Sequence, residues 1–405
     1  MKKTTSRRVF VAAASAVLAA PAIVGAQSRR QVKVSIGRQP WAAGNSPITQ
    51  YMINEKSFEK AAAAAGYDLT VDWRDYPSAL PMVEALVSNN LDIGLWGNTP
   101  IVRLIAQQQP LALLNTGEGH LRFLIAVRKD SPIRTVADLK GKTVGSLLGG
   151  DPYNALSQIL KYELGSGDPK AHGITVVNTP TQAQAAALPS GMDAAIVIHP
   201  AYLKANAEIG TSAIVNSFGY TEANYRGPAG EGAGKLLDSV KKSPFFPDGF
   251  YLHRSFWIAN PATIRNAPPV AVAFLVAQQE AVARLSAMNP AEVSDLVTKY
   301  WALPREQGAE VVKDELAFKR GWCWSTEGDA AAILEVSKFM VEGRLIEKPL
   351  AWSQVRDAFR LAAPLQQEAY EKSGRKPDAS AFEAKDVQDL RGLPVWQLDQ
   401  WKDRA

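Results

Sequence analysis

The chain has 405 residues, of which 45 are basic, 40 are acidic and 46% are hydrophobic. This length exceeds what one hydrophobic core usually serves, so we expect two lobes. The formal net charge of only +5 excludes the strongly basic surface that a nucleic-acid-binding protein needs.

Residues 1–26 have the order of a secretory signal peptide: a basic head, a short apolar run and a small-residue cleavage site. The apolar run is shorter than the roughly 20 residues that a membrane-spanning helix needs. The segment Ser6-Arg7-Arg8-Val9-Phe10 also fits the start of a twin-arginine signal. Without this segment 41 basic and 40 acidic residues remain, a net charge of +1. We therefore expect an exported, periplasmic protein.

Strand and helix patterns alternate through the first half of the chain, which predicts an α/β fold with mainly parallel sheets flanked by helices. In the first lobe we expect strands at 32–36, 69–73, 91–96 and 111–115, with helices at 47–65, 79–88 and 100–109. The apolar run 123–127 is predicted to cross to the second lobe. There we expect a short helix and a strand within 136–145, strands at 174–178 and 193–198, and helices at 152–164 and 181–188.

Residues 213–217 are predicted to return the chain to the first lobe, and the pattern from about residue 261 is mainly helical. The predicted division is therefore lobe I at 27–124 and 217–405, and lobe II at 125–216. The long C-terminal helical region has two open interpretations, since it can pack behind lobe I or form a contact surface.

Four predicted strand ends are followed by a proline where a helix should begin. The pairs are Ser46-Pro47, Thr99-Pro100, Asp151-Pro152 and His199-Pro200. Proline is favoured at the first helical position, and Ser, Thr and Asp are good helix caps. Because the N-terminus of a helix attracts anions, these junctions predict a ligand cleft at the carboxyl ends of the strands.

The segments around these junctions supply aromatic and polar side chains of the kind that line small-molecule pockets. For any single tryptophan, packing in the core is the alternative interpretation. The predicted ligand-binding residues are Arg38, Trp41, Asn45, Ser46, Trp96, Asn98, Thr99, Gly150, Asp151, Tyr153, His199 and Tyr202.

Patterns typical of enzymes are sparse. Four histidines and the single Cys323 do not form a zinc-ligand spacing, and neither a nucleophile elbow nor a phosphate-binding loop occurs. A lone cysteine cannot form an internal disulfide, so we expect a buried thiol. The sequence therefore indicates binding without catalytic residues, cofactor or metal.

The sequence resembles the nitrate/sulfonate/taurine-type solute-binding proteins of bacterial ABC importers. The segments that carry this resemblance are residues 91–100, 127–133, 136–142, 193–202 and 259–261. The resemblance implies a type II periplasmic-binding fold, in which two lobes joined by two crossovers close around a ligand. It also implies delivery of that ligand to an inner-membrane permease, and we expect the receptor to be a monomer.

Three features depart from the family pattern. His199 stands where an acidic residue is common, Gly149-Gly150-Asp151 replaces a Ser/Thr-rich turn, and the tail beyond about residue 302 is long. Asp151 would place a carboxylate beside a helix that could otherwise take an anion. His199 can donate hydrogen bonds or carry charge.

Four hypotheses remain open at the level of sequence. A receptor for a small organic anion, of the sulfonate or aromatic carboxylate class, would hold the acid group with helix N-termini, Arg38, Asn98 and His199. A receptor for a near-neutral heteroaromatic, such as a pyrimidine vitamin precursor, would use Asp151 as an acceptor. The others are an enzyme resembling the pyrimidine-precursor synthases, for which one cysteine is too few, and a receptor that signals to a chemoreceptor or kinase.

Overall fold

The computed structural model describes residues 29–42, 45–119, 121–221, 234–313, 321–383 and 391–404. The predicted signal peptide lies outside these residues. Strand bounds are β1 Arg30–Arg38, β2 Tyr67–Asp75, β3 Ile93–Gly97, β4 Ala112–Gly119, β5 Phe123–Arg128, β6 Thr143–Ser146, β7 Thr175–Asn178, β8 Ala194–Ile198, β9 Thr211–Asn216, β10 Tyr220–Thr221, β11 Lys235–Leu236 and β12 Arg254–Ala259.

Two five-stranded sheets organise the molecule. The first has the order β2-β1-β3-β12-β4 and the second has the order β7-β6-β8-β5-β9. In each sheet one strand is antiparallel to its neighbours, β12 in the first and β5 in the second. The predicted fold class, two mainly parallel sheets flanked by helices, is confirmed.

Helices cover both sheets and continue to the C-terminus. Their bounds are α1 Asn45–Glu55, α2 Ser57–Ala64, α3 Ala79–Val87, α4 Asn98–Ala106, α5 Asp151–Leu164, α6 Gln182–Ala186, α7 His199–Ile209, α8 Pro261–Asn266, α9 Pro268–Leu285, α10 Pro290–Asp295, α11 Thr298–Trp301, α12 Arg305–Val311, α13 Glu327–Glu342, α14 Trp352–Arg360 and α15 Ala363–Lys372. Short 3-10 segments lie at Val136–Leu139, Pro169–His172, Asp238–Lys242, Ala379–Phe382 and Val395–Gln400.

The predicted single helix over 47–65 is wrong. Lys56 has a left-handed conformation with φ of 49°, which separates α1 from α2. A left-handed residue cannot continue a right-handed helix, and the uniform run of helix-forming residues hides this break.

The prolines do not occupy the predicted first helical position in α1 and α4, which begin two residues earlier at Asn45 and Asn98. Ser46 and Thr99 are therefore helical residues and not caps. Proline is tolerated there because the first four N–H groups of a helix have no intrahelical partner.

Strand β12 was not predicted, since no element was assigned to residues 254–259. The segment Arg-Ser-Phe-Trp-Ile-Ala is fully buried between β3 and β4. Its β-branched and aromatic residues are typical of a central strand. This strand brings His253 and Ser255 to the carboxyl edges of β3 and β4.

The C-terminal helices contact both sheet regions. Helix α13 packs against α4 of the first sheet region and against α5 of the second, and α11 and α12 contact α7. Cys323 is buried in this region, as expected. Among the described residues no helix is long and apolar enough to cross a membrane.

Candidate functional site

A cleft of about 670 Å³ lies where the carboxyl edges of the two sheets face each other. The residues that line it are Gln39, Trp41, Ala42, Asn45, Pro77, Ser78, Ala79, Trp96, Gly97, Leu121, Phe123, Leu147, Gly150, Asp151, Pro152, Pro180, Gln182, Ile198, His253 and Ser255. Most of them come from the ends of parallel strands and from the loops and helix starts that follow, which is the usual ligand position in open α/β sheets. Leu121, Phe123, His253 and Ser255 come from the starts of the antiparallel strands β5 and β12 or from the residues just before them.

Three helices begin at the wall of this cleft. Asn45 starts α1, Ser78 precedes α3, and Gly150 precedes α5. The side chain of Ser78 makes no capping hydrogen bond, so the first N–H groups of α3 are not satisfied by it. Such N-termini carry a partial positive charge and unpaired N–H groups, which suit an anionic or strongly polar ligand group.

The Asp151 carboxylate, from the opposite side of the cleft, accepts a hydrogen bond from the N-terminus of α4. The Thr99 backbone N–H donates to Asp151 Oδ1 over 2.9 Å, and Tyr251 Oη donates to the same oxygen. Asn154 Nδ2 also donates to Thr99 Oγ1, over 3.2 Å. Asp151 was predicted to place its carboxylate at its own helix, but Gly150 caps that helix and the carboxylate accepts from the first turn of α4 instead.

His253 lies on the other side of the Asp151 carboxylate, with Nε2 4.0 Å from Oδ2. Burial lowers the pKa of His253 to about 4, Asp151 opposes that shift, and Arg254 adds to it. Burial, and then Asp151, raise the pKa of Tyr251 well above its usual value. At neutral pH both groups are therefore uncharged, and Asp151 is held by neutral donors.

Polar atoms at the cleft wall are left without partners. Within the described part of the chain, Trp96 Nε1, Ser255 Oγ, His253 Nδ1 and Asn45 Oδ1 are buried and make no hydrogen bond to protein. A buried polar atom is costly unless it is paired, and these four atoms belong to residues that line the cleft.

The described residues that line the cleft include neither lysine nor arginine. Asp151 is the acidic member of that lining, and His253 is neutral. Elsewhere among the described residues, no group of three or more His, Cys, Asp or Glu side chains is placed to hold a metal ion.

Five of the predicted site residues line the cleft: Trp41, Asn45, Trp96, Gly150 and Asp151. Thr99 reaches the cleft wall only through its backbone contact with Asp151. The structure does not bring the other six to the lining.

Arg38 is buried behind the cleft. Its guanidinium pairs with Asp75, with Nε 2.6 Å from Oδ1, and donates to Gln50 Oε1 over 3.0 Å and to Tyr300 Oη. The guanidinium carbon also lies 5.1 Å from the centre of the Tyr300 ring. Arg38 is therefore engaged by its own neighbours and does not face the lining.

Ser46 and Asn98 donate hydrogen bonds to backbone carbonyls instead of facing the cleft. Ser46 Oγ donates to the carbonyls of Pro40 and Ala42, and Asn98 Nδ2 donates to the Leu252 carbonyl over 2.8 Å. These hydrogen bonds connect the start of α1 to the loop after β1, and the start of α4 to the segment before β12.

Tyr153, His199 and Tyr202 lie on α5 and α7 outside the lining. His199 is buried, and burial followed by Arg122 lowers its pKa well below the usual value. The expectation that His199 could carry charge toward an anion is therefore not met at neutral pH. Burial also raises the pKa of Tyr153.

Sequence reasoning missed His253, Ser255, Ser78, Gln39 and Gln182. Recognising the strand-forming run after His253 would have indicated the first two. Gln182 accepts from the Ile198 N–H over 2.8 Å, a contact between the start of α6 and the end of β8 that no local pattern predicts.

Part of the chain is similar in sequence to known proteins. Residues 63–192 match the family described as ABC transporter, phosphonate, periplasmic substrate-binding protein. A protein of Escherichia coli (strain K12) whose name describes aliphatic sulfonate binding is 25% identical over 156 residues. That alignment covers 38% of this chain and 46% of the relative, so the chain matches about half of the relative's length.

Solved structures share the fold over most of the chain. The alkanesulfonate-binding protein SsuA of Xanthomonas axonopodis pv. citri, bound to MOPS, is 17% identical with a TM-score of 0.59, covering 82% of this chain and 98% of its own. The periplasmic nitrate-binding protein NrtA of Synechocystis PCC 6803 is 14% identical with a TM-score of 0.58, covering 92% and 99%. The desulfurization enzyme DSZB also matches, at 17% identity and a TM-score of 0.53, covering 84% and 99%.

The fold therefore occurs in receptors and in at least one enzyme, and fold alone does not assign an activity. The sequence relative and the family match both point to substrate-binding proteins of transporters. Together these findings confirm the resemblance predicted from the sequence: the chain is similar in sequence to a sulfonate-binding protein and shares its fold with sulfonate- and nitrate-binding proteins.

Proposed function

We propose that this chain is the periplasmic substrate-binding component of an ABC importer and acts as a monomer. It binds a small organic anion of the sulfonate or aromatic carboxylate class in the cleft and delivers it to an inner-membrane permease. The observation that carries the proposal is the set of buried, unpartnered polar atoms at the cleft wall, Trp96 Nε1 and Ser255 Oγ among them.

The charge of the cleft favours a singly charged acid. The N-termini of α1, α3 and α5 attract negative charge, whereas the described lining contributes no basic side chain. A phosphate-type group carries up to two charges near pH 7 and would face Asp151 with no cation to offset the repulsion. A sulfonate or carboxylate carries one charge, which helix N-termini and neutral donors can hold.

A near-neutral heteroaromatic is the second candidate, and Asp151 is the observation that favours it. Asp151 lines the cleft, and its Oδ2 lies 4.0 Å from His253 Nε2. This oxygen could accept a hydrogen bond from a ring N–H of the ligand. The two candidates differ in how ligand affinity should respond when the charge of the Asp151 carboxylate is removed. Affinity for an anion should stay the same or rise, whereas affinity for the ring should fall.

Calorimetric titration with three ligands of similar size separates the candidates. We expect benzenesulfonate to bind, and phenylphosphonate at pH 8 to bind at least tenfold more weakly. Asp151→Asn should leave sulfonate affinity unchanged or raised. Binding of 4-aminopyrimidine alone, lost in Asp151→Asn, would establish the second candidate, and no binding of any of the three would refute both.

Replacing Trp96 by Phe removes the indole N–H and keeps an aromatic ring. Loss of a hydrogen bond to a charged group should weaken sulfonate binding by about 1.5–3 kcal/mol. Trp257→Phe is the matched control, because Trp257 is fully buried in β12 and does not line the cleft. Equal affinity of wild type and Trp96→Phe would show that this indole does not hold the ligand.

A further inference from the structure

The C-terminal region pairs with the outer edge of the first sheet. β4 is the last strand of that sheet and has β12 as its neighbour on one side. On the other side the Thr116 backbone N–H donates to the Cys323 carbonyl over 3.2 Å. The backbone groups at the edge of a sheet otherwise lack partners, so this contact fixes the position of β4.

Buried side chains reinforce the contact between β4 and the C-terminal region. Gln278 of α9 donates from Nε2 to the Thr116 carbonyl over 3.0 Å, and the Cys323 N–H donates to Gln279 Oε1 over 3.1 Å. Asn115 of β4 donates to Cys323 Sγ over 3.4 Å. All five residues are buried, and a buried polar network keeps its geometry because an unpaired member would be costly.

Asp329 extends this network to β12. It lies in the first turn of α13, where its Oδ2 accepts from the Thr326 N–H over 2.9 Å and from Thr116 Oγ1 over 3.2 Å. Its Oδ1 lies 3.5 Å from Nε of Arg254, at the start of β12. Asp329 is fully buried and Arg254 is 4% exposed, so water screens the attraction between the two charges only weakly.

Arg254 stands between two residues of the cleft wall. His253 and Ser255 precede and follow it in the chain, and both line the cleft, whereas Arg254 does not. Successive side chains of a strand point to opposite faces, so the guanidinium lies behind the wall that its neighbours form. A displacement of Arg254 would therefore move the backbone from which His253 and Ser255 project.

We infer that Asp329 is a positioning residue for the cleft: it holds Arg254 from behind and thereby sets the place of His253 and Ser255 at the cleft wall. The C-terminal region then does more than pack behind the first sheet, because the shape of the cleft depends on it. This inference goes beyond the proposed function, since it concerns what shapes the cleft and not which ligand occupies it.

The test compares Asp329→Asn with Glu327→Gln in the full chain. Glu327 is the matched control, because it is buried in the same turn of α13 but pairs with Arg404, with Oε1 3.3 Å from Nη2. Both variants break an ion pair and should unfold at a lower urea concentration than wild type. Only Asp329→Asn should raise the Kd for benzenesulfonate by tenfold or more and speed amide hydrogen exchange in β12 relative to Glu327→Gln.

Arg254→Gln combined with Asp329→Asn leaves two amides that can hydrogen-bond across the same gap, so this double variant should recover most of the lost affinity. Arg254→Gln alone breaks the pair from the other side and serves in place of Asp329→Asn if that variant does not fold.

Equal Kd and equal β12 exchange in Asp329→Asn and Glu327→Gln would overturn the inference, because Asp329 would then only stabilise the fold. A double variant that binds as weakly as Asp329→Asn would also overturn it. If wild type binds no sulfonate, the proposed sulfonate function fails, and hydrogen exchange in β12 by itself decides whether Asp329 positions the wall.

Discussion

Gly97 is the residue at which the two sides of the cleft meet. It ends β3, and a Cβ built on it would overlap the Asp151 carboxylate and lie 2.7 Å from His253 Nε2. The absence of a side chain therefore lets Asp151 approach the first N–H groups of α4. A carboxylate at that position also benefits from the helix dipole.

Gly97→Ala should push Asp151 away and separate the two sides of the cleft. Overpacking typically costs about 1–3 kcal/mol, and we expect that loss in urea unfolding. Gly374→Ala is the control, since a Cβ there meets no atom within 4 Å. Equal stability of Gly97→Ala and wild type would show that Asp151 is not held tightly at this site.

His253 makes the stability of the protein depend on pH. Its folded pKa of about 4 lies below the ordinary 6.5, because burial disfavours the imidazolium. Between those values the unfolded chain binds more protons, so stability falls as the pH drops from about 6.5 to 4. Buried His199 acts in the same direction.

The expected contribution of His253 is on the order of 3 kcal/mol once the pH is below 4. Urea unfolding at several pH values between 7.5 and 4 measures it. His253→Gln keeps a polar side chain and removes the titration, so its stability should decline less over this range. An identical decline in both proteins would assign the pH dependence to other groups.

At the scale of elements, α13 connects the two sheet regions. It packs on α4, and its Phe339 lies 6.2 Å from the ring of Tyr162 on α5. Lys161 pairs with Glu342 over 2.5 Å, and its ammonium lies 4.6 Å from the Phe339 ring. The exposed ion pair contributes little by itself, so the buried aromatic contact provides most of the connection.

Phe339→Ala should loosen this connection. Truncating a buried phenylalanine costs about 3–5 kcal/mol, and the ligand-free protein should also show a larger radius of gyration by X-ray scattering. Phe382→Ala is the control, because Phe382 is equally buried but packs within the C-terminal region against Trp322 and Trp396. If both variants keep the wild-type radius, α13 does not limit opening.

For the whole molecule, two crossovers and one C-terminal connection determine how the cleft can open. The chain passes from the first sheet to the second between β4 and β5 and returns between β9 and β12. The runs 123–127 and 213–217, which were predicted to cross, lie in β5 and at the end of β9 of the second sheet, and a hinge beside them stays a prediction. Asp151, Asn154 and α13 add contacts across the same boundary. We therefore expect ligand to reduce the radius of gyration of the wild-type protein by less than it does in Phe339→Ala.

The local pattern of the sequence determined most of the fold. Runs such as 194–198 are apolar on both faces because a central strand of a sheet that is covered by helices is buried on both faces. Prolines near 47, 100, 152 and 200 identified where helices start, although not the first residue of each. A buried apolar run and a proline at a helix start both depend on neighbouring residues alone, so they can be predicted from the sequence.

Tertiary structure decided which side chains form the site. Arg38 meets Tyr300 across 262 residues, Asp151 meets Tyr251 across 100, and His253 reaches the cleft only because β12 inserts between β3 and β4. A local pattern predicts that a strand end carries polar residues, but not which distant partner satisfies each one. The sequence therefore predicted a cleft at the carboxyl ends of the strands, while long-range hydrogen bonds decided that Arg38 supports its wall and that Asp151 accepts from the N-terminus of α4.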